Sequence, residues 1–331
     1  MLKRALFALC LASSSTAMAS DYLDRPEFLS MVKELEQAGT YAPGELQTLF
    51  KNVKRQDRVL ELMSRAPERR KEWFEYRPIF ITSARVKQGL QFWRENAEAL
   101  ALAESKTGVP AEMIVSILGV ETSYGRNKGG FRVIDALATL GFDHPPRAPF
   151  FSKELREFLT LSRENGMDPS QIRGSYAGAM GYPQFMPSSW RNLAVDFDGD
   201  GRIDLINNPI DAIGSIANYF KGNGWKPGEA VVLAGNATGD ISDDSVATTL
   251  NTTTTLAAIQ QSGIQSNHNL APTTPATAFR LQGTNGSEYW IGLHNFYVIT
   301  RYNRSIMYAM AVNDLANLIK QEKQAEDNRA N

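Results

Sequence analysis

The stretch Met113-Ile114-Val115-Ser116-Ile117-Leu118-Gly119-Val120 is apolar on every side of a helix, and it ends on a carboxylate, Glu121. An ionisable group on that background is either a surface residue after the last buried turn or an acid held partly out of water, where desolvation raises its pKa. The second option is a general acid. Pro110 suits the start of this helix because its missing N–H would be unpaired there anyway, and Gly125 with Gly129-Gly130 let the chain turn after it.

The segment 25–104 repeats apolar residues at helical spacing. Phe28, Met31, Val32 and Leu35 form one face, and Val59, Leu60 and Met63 form another before Pro67. The charged run Glu68-Arg69-Arg70-Lys71-Glu72 reads as a solvated helix face. Trp73, Phe74, Tyr76 and Phe80 read mostly as core, with Tyr76 a candidate to line a groove. Helical spacing returns over 135–163, interrupted at His144-Pro145-Pro146-Arg147, and again over 212–220 and 306–320, where a charged tail follows. After Gly224-Trp225-Lys226-Pro227-Gly228 the composition shifts to Thr, Ser, Asn, Gly and Ala, with strand-like runs at 230–233, 277–281 and 288–291. That pattern predicts a small β-containing domain, in which Thr252 to Thr255 reads as linker. The expected class is mainly α (α+β). A helical domain is expected over 20–105, a core over 106–225, a small β-containing domain over 226–288, and a return of the chain to the core over 289–331.

With a formal net charge of -1 over 331 residues there is no global basic footprint, so nucleic acid is not an expected partner. Residues 1–19 have the three parts of a secretory signal: Lys3 and Arg4, an apolar run 5–12, and Ala17-Met18-Ala19 as a small-x-small cleavage site before Ser20. The mature chain is expected to be exported and periplasmic. Cys10, the only cysteine, lies within that signal, so an oxidising compartment would be harmless to the mature chain. A lipid-attached form is the less favoured alternative, because Leu9 is large and Leu11-Ala12 continue the apolar run past the cysteine.

The run from Gly174 to Trp190 interleaves glycine with Tyr, Gln and Ser, the composition of a groove for a flat polar ligand. Next comes Asp196-Phe197-Asp198-Gly199-Asp200-Gly201-Arg202-Ile203-Asp204. Carboxylates at the first, third and fifth positions, glycine at the sixth, a backbone carbonyl from Arg202 at the seventh and an apolar eighth residue are what a calcium loop of EF-hand type requires. The usual twelfth-position glutamate is replaced by Asn207, and Asp211 is the candidate for the missing carboxylate if the loop is longer than standard, spanning 196–211. The expected ion is structural and exchangeable Ca2+, and no organic cofactor is expected.

No second carboxylate stands near Glu121 at an obvious partner spacing, although ordinary glycosidases need two. His144, His268 and His294 form no ligand spacing, and no Gly-x-Ser-x-Gly nucleophile motif occurs.

The segments Gly119-Val120-Glu121-Thr122, Gly178-Ala179-Met180-Gly181 and Gln184-Phe185-Met186-Pro187-Ser188-Ser189 resemble the lytic murein transglycosylase B family. So do the Asp196 loop, Asp211-Ala212-Ile213-Gly214-Ser215, Asn295-Phe296-Tyr297 and Thr300-Arg301-Tyr302-Asn303, and the similarity extends over nearly the whole mature chain. It implies a lysozyme-like helical catalytic core with a flanking helical domain and a small β domain around a glycan groove. It also implies non-hydrolytic cleavage of the β-1,4 bond between N-acetylmuramic acid and N-acetylglucosamine, leaving 1,6-anhydromuramoyl ends, with Glu121 as acid and then base. The implied partners are peptidoglycan glycan strands and, among proteins, those of cell-wall synthesis or remodelling. Glycan contacts carry over to Tyr76, Ser175, Gln184, Tyr219, Tyr297, Tyr302 and Asn303. Where the family has an Arg pair, this chain has Pro146-Arg147, which leaves Arg147 alone to meet a stem or lactyl carboxylate. Two rival readings stay open at this stage: a hydrolytic muramidase on the same fold, and a non-catalytic peptidoglycan-binding protein.

Overall fold

A computed structural model describes residues 21–64, 71–246 and 250–330. The signal segment and most of the charged run at 68–72 lie outside the described residues. Contacts divide the chain into two compact units that meet at Arg55 and Gln56.

The first unit is a helix pair, α1 (Pro26–Gln37) and α2 (Glu45–Phe50). The expected face of Phe28, Met31, Val32 and Leu35 is the buried face of α1, and Phe28 meets Phe50 of α2 with ring centroids 4.5 Å apart.

The second unit begins with α3 (Asp57–Ser64), α4 (Trp73–Phe80), α5 (Ser83–Glu95), α6 (Ala97–Thr107) and α7 (Ala111–Thr122). It continues through β1 (Phe131–Arg132), α8 (Val133–Asp143), a 3-10 turn at Pro145–Arg147, α9 (Ala148–Glu164), β2 (Arg173–Gly174), α10 (Pro187–Leu193) and α11 (Pro209–Gly222). The β-containing part comprises β3 (Val232–Ala237), β4 (Thr254–Thr255), α12 (Leu256–Gln261), β5 (Ile264–Gln265), β6 (Pro275–Gly283) and β7 (Gly286–Gly292), and α13 (His294–Tyr302) and α14 (Ile306–Ala330) close the chain.

Helix α7 is the apolar segment, and it is buried from Ala111 to Val120. α14, α5, α11 and α6 pack around it. The hydroxyl midway along it is satisfied, since Ser116 Oγ donates to the Val312 carbonyl of α14 at 2.6 Å, as a buried polar group requires. Val86 and Leu90 of α5 and Leu100 and Ala103 of α6 belong to the same core as α7. The helical domain expected over 20–105 is therefore not one packing unit: α4 to α6 are walls of the core, and the break comes at residue 55.

The sheet has the antiparallel order β4-β6-β7-β3-β5. Both faces of β6 are covered over Ala276 to Phe279, where four successive residues are buried. In β6, Ala276 and Ala278 face a small core with Leu256 and Ile259 of α12, while Phe279 and Leu281 on the opposite face join the helical core. Phe279 stacks on Phe296 of α13 at 4.9 Å.

Three local expectations are corrected. Thr254 and Thr255 are not linker: they pair with Ala276 and Pro275, and the Thr255 side chain caps α12 by accepting from Ala258 N at 3.3 Å. Phe74 is not core, being 43% exposed. The charged tail continues α14 to Ala330, held by Arg94 of α5 pairing with Glu326 at 3.0 Å and by the intrahelical pair Lys323–Asp327.

Candidate functional site

Glu121 lies in the last turn of α7. The helix is stopped not by glycine but by Ser123 and Tyr124, with φ of 50° and 62°. Their N–H groups close the helix end onto Gly119 O and Leu118 O at 3.2 and 3.0 Å. Two consecutive non-glycine residues in the left-handed region carry strain. Here it is held by α5: Tyr124 Oη donates to Arg85 O at 2.9 Å, and Arg85 donates to Ser123 Oγ at 3.1 Å. The carboxyl-bearing turn is thus held from outside its own helix.

The Glu121 side chain is half-buried. Tyr308 of α14, which is buried, donates its hydroxyl to Glu121 Oε1 at 2.5 Å. Burial pushes the carboxyl up to about 7, against the opposing pull of that hydroxyl. No other carboxylate among the described residues contributes to the shift. Two further tyrosines sense the same charge. Burial and then Glu121 raise Tyr76, and burial, Glu121 and Tyr219 raise Tyr302 well above its ordinary value. Glu121 therefore sits among tyrosines, and the one that touches it, Tyr308, is a residue that sequence reasoning missed. Its only sequence signal was an aromatic in the first turn of an amphipathic helix, which reads as core.

The glycine-rich run forms a folded loop beside this acid. Met180 bridges Gly174 on one side and Phe185 on the other. Thr122, next to Glu121, donates to Tyr182 O at 3.0 Å and accepts from Gly125 N at 2.9 Å. Ser175 Oγ accepts from Ala179 N at 3.0 Å. Gln184, itself at φ 51°, donates to Gly181 O at 2.9 Å and Lys128 O at 3.2 Å. Tyr302 and Tyr219 stand 4.7 Å apart, and Phe185 packs on both, at 5.8 and 5.5 Å. Their hydroxyls donate to Pro183 O and Arg301 O, each at 2.6 Å.

Other expected contacts lie elsewhere. The Arg147 guanidinium covers Phe150 and Phe151, at 4.7 and 4.9 Å. Tyr297 sits under Arg301 at 5.9 Å and beside His294 at 6.5 Å. Asn303 is exposed at the C-terminal end of α13. The structure brings none of these three into contact with Glu121.

The acidic loop folds around its own backbone. Asp196 accepts from Gly199 N and Gly201 N, each at 2.8 Å, and Asp200 from Arg202 N at 2.8 Å. Asp211, fully buried in the first turn of α11, accepts from Phe197 N and Asp204 N, each at 2.8 Å. Carboxylate oxygens of Asp196, Asp198 and Asp211 lie within 4.8 Å of one another. Burial raises Asp211, the N–H groups of Asp204 and Phe197 lower it, and the charges of Asp198 and Asp196 raise it again. Three converging hard-oxygen groups, one buried among like charges, are a donor set that fits Ca2+. Asp200 is not part of that convergence. The acidic loop also braces the glycine-rich run and the turn before it: Tyr182 N donates to Leu205 O at 2.8 Å, and Lys128 Nζ to Ile206 O at 2.7 Å. Gly181, at φ 71°, permits this approach, since a Cβ there would lie 2.2 Å from Leu205 O.

The model of the transglycosylase SLT domain matches residues 24–317. The chain is 41% identical over 304 residues to the membrane-bound lytic murein transglycosylase B of Escherichia coli (strain K12), spanning 89% of this chain and 83% of that one. Among solved structures it is similar to the catenated lytic transglycosylase SltB1 of Pseudomonas aeruginosa, with a TM-score of 0.88, 52% identity and coverage of 91% and 99% of the two chains. It is also similar to the Escherichia coli lytic transglycosylase Slt35 in complex with calcium, with a TM-score of 0.84, 40% identity and coverage of 92% and 96%. The fold and site therefore define a peptidoglycan-cleaving enzyme with a lysozyme-like helical core. The chain belongs to the lytic murein transglycosylase B family.

Proposed function

We propose that Glu121 alone carries both proton transfers of a non-hydrolytic cleavage of the β-1,4 bond between N-acetylmuramic acid and N-acetylglucosamine. The single observation behind this assignment is a half-buried carboxyl raised to about 7, bonded to Tyr308 and with no second carboxylate among the described residues contributing to its shift. Protonated Glu121 gives its proton to the glycosidic oxygen as the muramoyl C1–O bond breaks. The resulting carboxylate then takes the proton of the muramoyl 6-hydroxyl as that oxygen bonds to C1. The acid is restored, and the product ends in 1,6-anhydromuramic acid. The 6-hydroxyl belongs to the bound sugar, so its effective concentration exceeds that of a water lacking a base.

The glycan would lie along the loop of Ser175 and Gln184, with Tyr76, Tyr219 and Tyr302 offering apolar faces to the sugar rings. Ser175 and Gln184 already hold backbone partners, so their first role is to shape the groove. Arg147, Tyr297 and Asn303 would serve outer contacts. Asp196, Asp198 and Asp211 would hold Ca2+, and Asp200, whose carboxylate lies outside that convergence, would have to turn inward to complete the shell with the Arg202 carbonyl; the ion would supply rigidity to the groove and no chemical step. Export to the periplasm is part of this reading, since peptidoglycan is met outside the inner membrane. Among the described residues no helix is long and apolar enough to cross a membrane.

The test is Glu121→Gln, which keeps the shape and cannot exchange the proton. General acid-base help is typically worth about 10² to 10⁴ in rate, and one group serving both steps places the loss at or above the upper end. Folding and sacculus binding should be retained. Near-native release from sacculi would remove Glu121 from the reaction.

A further inference from the structure

Next to Tyr76 along α4 lies a cleft of about 430 Å³ that the mechanism does not use. Trp73, Phe74 and Arg77 of α4, Glu288 and Trp290 of β7 and Asp314 of α14 line it. Phe74 is 43% exposed there, a large apolar ring partly open to solvent. The polar groups are held in fixed planes: Arg77 Nε donates to Asp314 Oδ2 at 2.7 Å, and Trp290 Nε1 to Glu288 Oε2 at 3.3 Å.

Two relationships connect this cleft to the acid. The Trp73 ring stacks on Tyr76 at 6.4 Å, and Tyr76 senses the Glu121 charge. Asp314 follows Tyr308 on the same helix, about 9 Å further along its axis.

The exposed Phe74 ring and the partly buried Trp290, supported by Trp73 buried beneath them and with a rim of oriented donors and acceptors, fit a ligand that has an apolar face and polar edges. A pyranose ring has both. One guanidinium against two carboxylates leaves the rim negative, which disfavours the carboxylates of an acidic peptide stem and favours a neutral sugar. We propose that this cleft is a further sugar-binding subsite, taking a neutral N-acetylhexosamine of the strand at a distance from the bond that is cut. The proposal rests on the glycan-groove reading above and extends it by one contact region.

The experiment is calorimetric titration of the full chain with N-acetylglucosamine oligomers, short and long, which carry neither a lactyl carboxylate nor a peptide stem. The native chain should bind long oligomers more tightly than short ones. Phe74→Ala removes an exposed ring outside the core; it should weaken the long oligomer about 3- to 10-fold and leave the short one unchanged. Arg77→Gln, a second route to the same site, should act in the same direction. Equal affinity of the native and Phe74→Ala chains for the long oligomer overturns the subsite. A loss confined to stem-bearing muropeptides overturns it too and makes the cleft a peptide site. If the native chain binds no oligomer of any length and no sacculi, the glycan-groove reading itself fails, an outcome distinct from either of the others.

Discussion

The Tyr308 hydroxyl and Glu121 Oε1 are 2.5 Å apart although the residues are separated by 187 positions. The contact joins the last turn of the central helix to the first turns of the closing one, so the acid is held by two elements that the core has already packed together. A donor on the carboxylate lowers its pKa while burial raises it, and burial dominates.

The first prediction is a pH dependence. In the proposed mechanism cleavage starts from protonated Glu121, so kcat/KM should fall as pH rises through about 7. Stability should respond with the same sign. The carboxyl is raised in the folded chain from 4.5 to about 7, so folding favours its neutral form; that contribution is complete below 4.5 and is lost as pH rises through about 7. Its size is at most about 3 kcal/mol, and Glu121→Gln should flatten this part of the profile. Chemical denaturation across pH, native against variant, measures it. A profile that Glu121→Gln leaves unchanged would contradict the shift.

Tyr308→Phe removes the one hydrogen bond that opposes burial. The Glu121 pKa should rise further, moving the alkaline limb of the rate profile to higher pH. Loss of positioning should lower kcat roughly 10- to 100-fold, with KM for glycan little changed. A rate profile with an unmoved limb would mean that Tyr308 is packing only.

On the proposed assignment of the acidic loop, calcium should stabilise the fold, because the ion would bind the closed loop and not the unfolded chain. At a hundredfold excess over Kd the gain is about 2.7 kcal/mol, readable as a rise in Tm between excess chelator and millimolar calcium. Asp211→Asn should abolish most of that rise. The same Tm under both conditions in the native chain would show that the loop holds no ion.

Much of this was legible in the sequence because it is local. The buried run before Glu121, the carboxylates from Asp196 that fold onto their own backbone and the glycines of the 174–190 run each express a short-range requirement of the backbone. What was missed is non-local. Tyr308 looks like any aromatic of an amphipathic helix until α14 is laid beside α7. Thr255 looks like linker until β6 pairs with it. The break at Arg55 was hidden because the helical pattern continues across it, and only packing shows that α4 to α6 belong with α7. The stop after Thr122 lies between: a glycine was the expected breaker, and two strained residues held by Arg85 do the work instead.

The central claim is that one carboxylate suffices because the substrate supplies its own nucleophile, and the identity of the new chain end tests it most directly. Purified sacculi digested with the native chain should release muropeptides whose mass spectra show 1,6-anhydromuramic acid, one water lighter than the hydrolysed form and inert to borohydride. Reducible N-acetylmuramic acid as the main new end would contradict the account and leave a hydrolytic muramidase on this fold.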